Sequence, residues 1–404
     1  MHPRQQKGLE IASGYRIRES AKGFLVPSQS GQGTYIVTLR ETAATCTCPD
    51  FALRRQRYKH IYAVEYTLTR EQQPDGATVV TQTTRLTYRQ NWPVYNAVQT
   101  HEREHFLALL RGLYDGIVQP PHPMGRPRNL LADVAFSLVC QVYAMRSGRQ
   151  SMSDLRGEDR KRFLGKVPHS HSVFQVLEGP SLTPLLKTLI AQSATPLNAV
   201  ETAVAVDSSG FSTSATAPWD DERDGRHQHE RRWVTVPLMG GVHTHIVTSV
   251  EVTPTDSADA PQFAGLVAAT ARRSAVREVS ADKAYLRVEN RQVVAGIGGI
   301  AYLPFKQRTT GLRPDFEALW NRVWHYYMFN RETFLQHDHK RSNAQTTFAM
   351  MKAKLGELVR AKLPVAQVNE MLCKVLCHNV CCLIQSRYEL GVEPTFWGKR
   401  ADNS

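Results

Sequence analysis

Two aspartates stand where short apolar runs end, and together they have the chemistry of a cation site. Asp207 closes the apolar part of "TAVAVDSSGF", and Asp282 comes late in "VREVSADKAY". Polar groups at strand ends of α/β sheets gather in one cleft. Two carboxylates there can share two divalent cations, either Mg²⁺ or Mn²⁺. A pair of such cations supports the cleavage of a phosphodiester. Either aspartate can also be a strand cap or the start of a turn, and that alternative stays open.

A polar stripe further along the chain is the third candidate element. At about 100° per residue, Asp338, Arg341, Gln345 and Lys352 fall within an arc of about 60° on one predicted helix. The stripe is either part of the same cleft or a solvated helix face. Asp338 and Gln345 are about 10 Å apart along such a helix. We therefore expect that Asp338 cannot take over a role at position 345.

The elements that must position these residues form an α/β pattern from residue 201 onward. An apolar strand is followed by two alternating runs joined at Gly240-Gly241, which is typical of a hairpin. A helix at 260–272, a strand, a helix, the strand "AYLPF", a helical region at 315–362 and a closing helix at 366–386 follow. This order predicts a mixed five-stranded sheet flanked by helices.

Three domains are expected. Residues 1–95 form a small module with a linker, 96–200 a helical domain, and 201–404 the α/β domain with its C-terminal helices. The helical domain follows the Pro-rich joint "PPHPMGRPRN", and its apolar helix "LLADVAFSLVCQVYAMRS" must be buried. It is either a DNA-binding domain of the helix-turn-helix kind or a plain helical spacer.

Charge and cysteine content narrow the class of protein. The 404 residues contain 50 Lys and Arg against 37 Asp and Glu, a net charge of +13. Such an excess favours nucleic acid as a partner, although it also serves solubility. No apolar run is long enough for a membrane span and no signal peptide is evident. Seven unevenly spaced cysteines argue against a disulfide framework, so a reduced, cytoplasmic protein is expected.

Three segments together resemble a known family. "AVDSSGF", "SADKAY" and "HKRSNAQTTFAMMKAKLG" are similar to the signature segments of DDE transposases of insertion sequences, and the likeness extends over residues 125–386. The resemblance implies a ribonuclease-H-like core that cuts and joins double-stranded DNA at element ends and target, with Mg²⁺ or Mn²⁺. It also implies catalytic roles for Asp207, Asp282 and position 345, phosphate contacts by Arg341 and Lys352, and a homodimer.

The chain departs from that family at two positions of the late helix. Gln345 stands where the catalytic Glu is usual, and Asp338 stands where Tyr is usual. A neutral amide removes one negative charge from a site for two dications, and Mg²⁺ prefers charged oxygen ligands. We therefore predict weak or absent strand transfer. The alternative is a catalytically inactive, transposase-derived DNA-binding protein; an unrelated metal phosphatase or nuclease of similar fold is a third interpretation.

A cysteine-histidine segment near the N-terminus has the ligand types of a zinc site. In "CTCPDFALRRQRYKH", Cys46, Cys48 and His60 are ordinary zinc ligands, whereas Tyr58 is a poor one at neutral pH. The segment resembles a SWIM-type zinc finger, with Tyr58 in place of a cysteine. Water or Asp50 can complete the shell, or the module is metal-free.

The same segment carries a cluster of cations. These are Arg54, Arg55, Arg57 and Lys59. They are suited to phosphate contacts with DNA, or they form a solvated surface.

A second group of cysteines is interpreted as core. Cys373, Cys377, Cys381 and Cys382 recur with His378 among Leu and Val on one helix. A free cysteine behaves there as a small hydrophobic residue. We expect packing rather than a metal site.

Overall fold

The computed structural model describes most of the chain and divides it into two compact units, Met1–Gln90 and Asn91–Ser404. The described residues are 3–15, 17–20, 22–28, 33–39, 44–54, 59–72, 78–82, 92–121, 129–157, 163–213, 233–254, 260–306, 309 and 318–397. No helix in these ranges is long and apolar enough to cross a membrane.

The first unit is a small antiparallel sheet with helices. Its strands are β1 (Arg18–Ser20), β2 (Gly23–Pro27), β3 (Thr34–Leu39), β4 (Ala44–Cys46), β5 (Leu68–Gln72) and β6 (Thr78–Gln82). Its helices are α1 (Pro3–Gly14), α2 (Pro49–Arg54) and α3 (Lys59–Thr67). Strands β1 to β4 pair in chain order, and β5 pairs with β6. The strand predicted at "TYIVTLR" and the helix predicted after it are both present, and Ile11, Val37 and Ile61 are fully buried in the core.

Helices open the second unit. They are α4 (Trp92–Tyr114), α5 (Leu131–Tyr143), α6 (Gly148–Leu155), α7 (Ser170–Leu177) and α8 (Leu182–Ala194). Helix α5 has its apolar residues buried, as its composition predicts. It shares one apolar core with the C-terminal helix α14 (Pro364–Leu390) and with residues of the sheet described next. A domain boundary at residue 200 remains a prediction.

The second unit contains the mixed sheet. Its strands are β7 (Ala203–Ser212), β8 (Trp233–Gly241), β9 (Val247–Val250), β10 (Thr253–Pro254), β11 (Glu278–Ala281) and β12 (Ile300–Tyr302). Strand β7 lies in the centre, antiparallel to β8 and parallel to β11, which is parallel to β12. Short β9 and β10 both pair with β8. The sheet is therefore mixed and five strands across, as predicted, with β10 a short sixth segment.

The hairpin is present, but its turn is not at Gly240-Gly241. Both glycines belong to β8, and the chain turns at 242–246. The buried carboxylate of Glu201 explains the shift, since its Oε2 accepts hydrogen bonds from the backbone N–H groups of His243 and Thr244 at 2.9 and 2.8 Å. A Cβ on Gly241 would lie 2.5 Å from the Glu201 side chain. Gly241 is therefore required because the Glu201 side chain lies against it, and it does not form the turn.

Helices cover both faces of the sheet. They are α9 (Gln262–Ala271), α10 (Val288–Gly296), α11 (Ala318–Phe329), α12 (Arg331–Asp338) and α13 (Ser342–Leu355). Val206 and Ala281 point into the core that contains Phe263 of α9 and Val294 of α10. On the opposite face, Ala205 packs with Ala344 of α13. That second face is the one on which the candidate residues meet.

The cysteines of α14 belong to the core, as predicted. Cys373, Cys377 and Cys382 are buried, and Cys381 is half-buried. Burial raises the pKa of all four thiols. They therefore stay protonated at neutral pH and act as small apolar side chains.

Candidate active site

Asp207 and Asp282 follow two paired residues of neighbouring parallel strands. The ladder pairs Val206 with Ala281; Asp207 is the next residue of β7, and Asp282 directly follows the end of β11. Neighbouring strands are about 4.8 Å apart, so the backbones of the two aspartates lie next to each other. Each carboxylate accepts one local hydrogen bond, from Ser208 N at 2.9 Å and from Lys283 N at 2.5 Å. The predicted meeting of the two aspartates agrees with this register, and Asp282 follows the end of β11 as predicted. The prediction that Asp207 ends its strand is wrong, because β7 continues to Ser212 through its pairing with β8.

Both aspartates point to the face that carries helices α12 and α13. Side chains alternate along a strand, so Asp207 shares a face with Ala205, and Asp282 shares one with Ser280. Ala205 packs with Ala344 of α13. The Ser280 hydroxyl donates a 3.0 Å hydrogen bond to the carbonyl of His337 in α12. The late helical region therefore lies directly over the aspartate pair.

That helical region is broken, contrary to the single helix predicted from its periodicity. Helix α12 ends at Asp338, a 3₁₀ turn covers His339–Arg341, and α13 begins at Ser342. The Ser342 hydroxyl donates to the His339 carbonyl at 2.8 Å, which competes with regular helical bonding. Asp338 and Gln345 thus belong to different helices. The separation of about 10 Å along one axis, on which we discounted Asp338, does not apply.

A set of contacts with Glu278 fixes the break. Its Oε2 lies 2.9 Å from His337 Nδ1 and 2.6 Å from Lys340 Nζ. The His337 ring also stacks on Tyr302, with ring centroids 4.3 Å apart. Burial favours the neutral form of Glu278, but the hydrogen bonds from Lys340 and His337 outweigh it and lower the pKa. We call Glu278, His337 and Lys340 the clamp. It joins the start of β11 to the segment that leads into Arg341.

The side chain of Arg341 lies next to Asp282. Its Nη1 lies 3.5 Å from Oδ2 of Asp282, and the two side chains are 28% and 41% exposed. An arginine in this place partly neutralises Asp282 and remains accessible to a phosphate.

Gln345 lies beside the pair but faces solvent. Its neighbour Ala344 packs at Ala205, and the ring of Phe348 lies 6.5 Å from that of Phe211. Asp207 stands between Ala205 and Phe211 on β7, so Gln345 is level with it. The Gln345 side chain is exposed, and among the residues that the structure describes it makes no hydrogen bond.

Lys352 lies further along the same face. Its Nζ is 5.1 Å from the centre of the Phe211 ring and 3.5 Å from Glu357. A cation over an aromatic ring at the surface remains accessible, so its charge is available to a phosphate.

The sequence did not predict that Asp338 is buried. It is 7% exposed, and its Oδ1 has no hydrogen-bond partner among the described residues. Burial raises the pKa of its carboxyl group; Arg341 and His339 oppose that shift, and the charge of Asp282 adds to it. The only signal in the sequence was an acidic residue where the resembling family has a tyrosine.

Comparison with known proteins agrees with this arrangement. Residues 198–380 match the family model of the transposase DDE domain. The match supports a DDE-type transposase. It covers less than half of the 404 residues but includes both aspartates and the whole helical segment above them. No curated protein and no solved structure was found to match. The mixed sheet with flanking helices is consistent with a ribonuclease-H-like transposase domain.

The region around Asp207 and Asp282 offers the donors that a hard cation needs. Carboxylate oxygens are preferred by Mg²⁺ and Mn²⁺. Asp207 and Asp282 supply two carboxylates at neighbouring positions of β7 and the end of β11. The donor set therefore fits a divalent cation.

The N-terminal unit holds a separate candidate metal centre. The ligand atoms of Cys46, Cys48 and His60 lie within 4.8 Å of one another, and all three residues are buried. Cys46 Sγ is 3.7 Å from His60 Nδ1. Burial raises the pKa of Cys46 to about 12 and lowers that of His60 to about 4. Two sulfurs and one imidazole at this spacing fit Zn²⁺.

The remaining predicted residues of that unit are described only in part. Arg55, Arg57 and Tyr58 lie outside the described residues. Arg54 ends α2, but its side chain is likewise outside them. Lys59 begins α3 and is half-buried. The place of Tyr58, the completion of the shell by water or Asp50, and most of the basic cluster therefore stay predictions.

Proposed function

We propose that this protein is a transposase that cleaves and transfers DNA strands at element ends, using divalent cations held by Asp207 and Asp282. The observation that carries the proposal is the register of the parallel strands β7 and β11, which pairs Val206 with Ala281 and so puts Asp207 next to Asp282 on the face of the same helices. A match to the transposase DDE domain over the same residues supports it independently.

In this proposal each residue has a separate task. Asp207 and Asp282 hold Mg²⁺ or Mn²⁺, which activates a water or a 3′-hydroxyl and stabilises the leaving oxygen. Arg341 and Lys352 contact phosphates and keep the strand at the carboxylates. Double-stranded DNA is the partner, first the element ends and then the target. A homodimer brings two ends together, as the family resemblance implies.

We further propose that the rate is reduced by Gln345. An exposed neutral amide stands where the resembling family has a carboxylate, so the site has one anionic ligand fewer at that position. A site that binds dications beside phosphate loses electrostatic stabilisation when an anion is removed.

A second candidate function is DNA binding without cleavage. The close approach of Arg341 to Asp282 favours it, because a guanidinium at that carboxylate competes with a cation. The basic excess of the chain supports binding in either case.

For the N-terminal unit we propose a zinc-binding module of the SWIM type that contacts DNA. The buried trio of Cys46, Cys48 and His60 supports the metal, and the basic segment from Arg54 to Lys59 supports the DNA contact.

One experiment distinguishes the two candidate functions. Double-stranded DNA carrying the element ends is incubated with the full chain in Mg²⁺ and, separately, in EDTA, and both binding and nicking are measured. The transposase proposal expects slow nicking in Mg²⁺ that disappears in Asp207→Asn while binding persists. Binding in EDTA with no nicking in Mg²⁺ or Mn²⁺ would instead establish the non-cleaving alternative.

A further inference from the structure

A polar groove lies in the helical part of the second unit, away from the residues of the proposed cation site. It has a volume of about 870 Å³. Its walls come from residues 119–121 after α4, the start of α5, the residue that follows α6, and the segment that leads into α7. We call it the basic groove, because its lining includes Arg156, Lys166 and His169.

The charged side chains that line the basic groove are cations. Arg156 and Lys166 are exposed, and no Asp or Glu is among the described residues of the lining. Neither cation has an ion pair within the described part of the chain, whereas Lys187 of α8 lies 2.5 Å from Glu251. The remaining polar side chains of the lining are neutral amides and hydroxyls, namely Gln119, Asn129, Ser172, Gln175 and Ser181. The groove therefore offers positive charge and neutral hydrogen-bonding groups together.

Hydrogen bonds hold the walls of the basic groove in place. Gln119 Oε1 accepts a 2.7 Å hydrogen bond from the Leu131 N–H, which joins the segment after α4 to the first turn of α5. Asn129 Nδ2 lies 3.5 Å from Ser172 Oγ and joins the segment before α5 to α7. Because these walls are already connected, little conformational freedom is lost when a ligand enters.

Helix ends add to the positive potential of these side chains. The lining contains Leu131, the first residue of α5, and the N-cap residues of α7 and α8, which are His169 and Ser181. The N-terminal end of a helix carries a partial positive charge. An anion in the basic groove is therefore attracted by side-chain cations and by the ends of three helices.

We propose that the basic groove binds the sugar–phosphate backbone of double-stranded DNA without reading its base sequence. The inference rests on the proposed transposase function and assigns a DNA contact to residues other than those of the cation site. A DNA backbone presents regularly spaced anions beside neutral oxygen acceptors, which cations and neutral donors complement. The net charge of +13 on the whole chain favours the same partner.

The test measures binding of the full chain to labelled duplex DNA at several salt concentrations. One duplex carries the element ends, and the other has a random sequence of equal length. The groove variant combines Arg156→Ala with Lys166→Ala. The control variant combines Arg103→Ala with Arg149→Ala, two exposed cations of α4 and α6 that are not part of the groove lining. Both variants lose two positive charges, so the general attraction to DNA changes equally.

The groove variant should bind both duplexes at least about tenfold more weakly than the parent. Its slope of log affinity against log salt should fall by about two, because two phosphate contacts are lost. The control variant should keep the parental slope. Gln175→Glu removes no cation but places an anion in the groove, so it should also weaken binding to both duplexes. The substituted side chains are exposed, and equal melting temperatures check that every variant folds.

A parental slope in the groove variant, or an equal fall in the control variant, would overturn the inference. Weaker binding to the element-end duplex alone would also overturn it, because a backbone contact does not distinguish sequences. The proposed function has its own readout in the Mg²⁺-dependent nicking that Asp207→Asn should abolish. If the groove variant binds DNA as the parent does while Asp207→Asn loses nicking, only the groove inference fails. If Asp207→Asn nicks like the parent, the proposed function fails, and the salt slopes still decide the groove.

Discussion

Arg341 Nη1 lies 3.5 Å from Oδ2 of Asp282, so the guanidinium touches a carboxylate that is proposed to hold a cation. The contact is partly exposed and therefore weak, and salt screens it. A dication and a DNA phosphate arriving together can satisfy both partners, because Asp282 then faces the metal and Arg341 the phosphate. The pair thus links occupancy of the cation site to the presence of DNA.

Removal of Arg341 should change cation binding and DNA binding in opposite directions. In Arg341→Ala, Mn²⁺ binding without DNA is expected to strengthen about threefold, since a competing positive charge is gone. DNA binding should weaken, and the slope of log affinity against log salt should fall by about one. Titrations at several salt concentrations measure both. Arg341→Lys keeps the charge and should keep the slope; an unchanged slope in Arg341→Ala would contradict a phosphate contact.

Gln345→Glu should increase cleavage. Restoring an anion beside Asp207 is expected to raise the rate of Mg²⁺-dependent nicking by about 100-fold, if charge at this position stabilises the transition state. Single-turnover nicking of labelled element-end DNA measures the rate, with Gln345→Leu as the uncharged comparison. Full activity in the parent chain, with no gain in Gln345→Glu, would show that position 345 does not limit the reaction.

The clamp should make stability depend on pH in the acid range. Lys340 and His337 outweigh burial and lower the pKa of Glu278. A carboxyl group with a depressed folded-state pKa contributes stability above its unfolded pKa of about 4.3, and that contribution is lost as pH falls through the folded value. Glu278→Gln should therefore reduce the free energy of unfolding by about 1 kcal/mol at pH 7 and have little effect at pH 2.

Urea denaturation at the two pH values checks the clamp, with Glu332→Gln as the exposed acid for comparison. An equal loss in Glu278→Gln at pH 2 and pH 7 would mean that packing, rather than charge, accounts for the residue.

The N-terminal unit should bind one zinc ion per chain. The thiols of Cys46 and Cys48 are buried next to His60, and a bound Zn²⁺ compensates their burial as thiolates. Atomic absorption on protein washed with a weak chelator should give a stoichiometry near one, falling towards zero in Cys48→Ser. Cys381→Ser, in the core of the other unit, should keep the metal. Zinc-free parent protein would identify a metal-free module.

Sequence patterns were sufficient for the sheet and for the two aspartates. Apolar runs that end in an acid predicted two buried strands beside Asp207 and Asp282, and the ladder pairs Val206 with Ala281 next to them. The end of the first strand was predicted wrongly, because β7 continues past Asp207 to Ser212 in its pairing with β8. The hairpin was also predicted, but its turn was not. A buried carboxylate at Glu201, 40 residues before Gly241, decides where the chain reverses, and no local pattern contains that contact.

Local sequence by itself determined which segments form buried strands and helices, and the excess of positive charge, because periodicity and composition are properties of neighbouring residues. The late helical region depended on the tertiary structure. Its periodicity favours one helix, yet Ser280 and Glu278, about 60 residues earlier, hold His337 and Lys340 and fix a break between Asp338 and Ser342. That break buries Asp338 and leaves Gln345 in solvent. Only contacts between distant segments decide which of these two side chains is buried and which is exposed, since burial is set by packing and not by spacing.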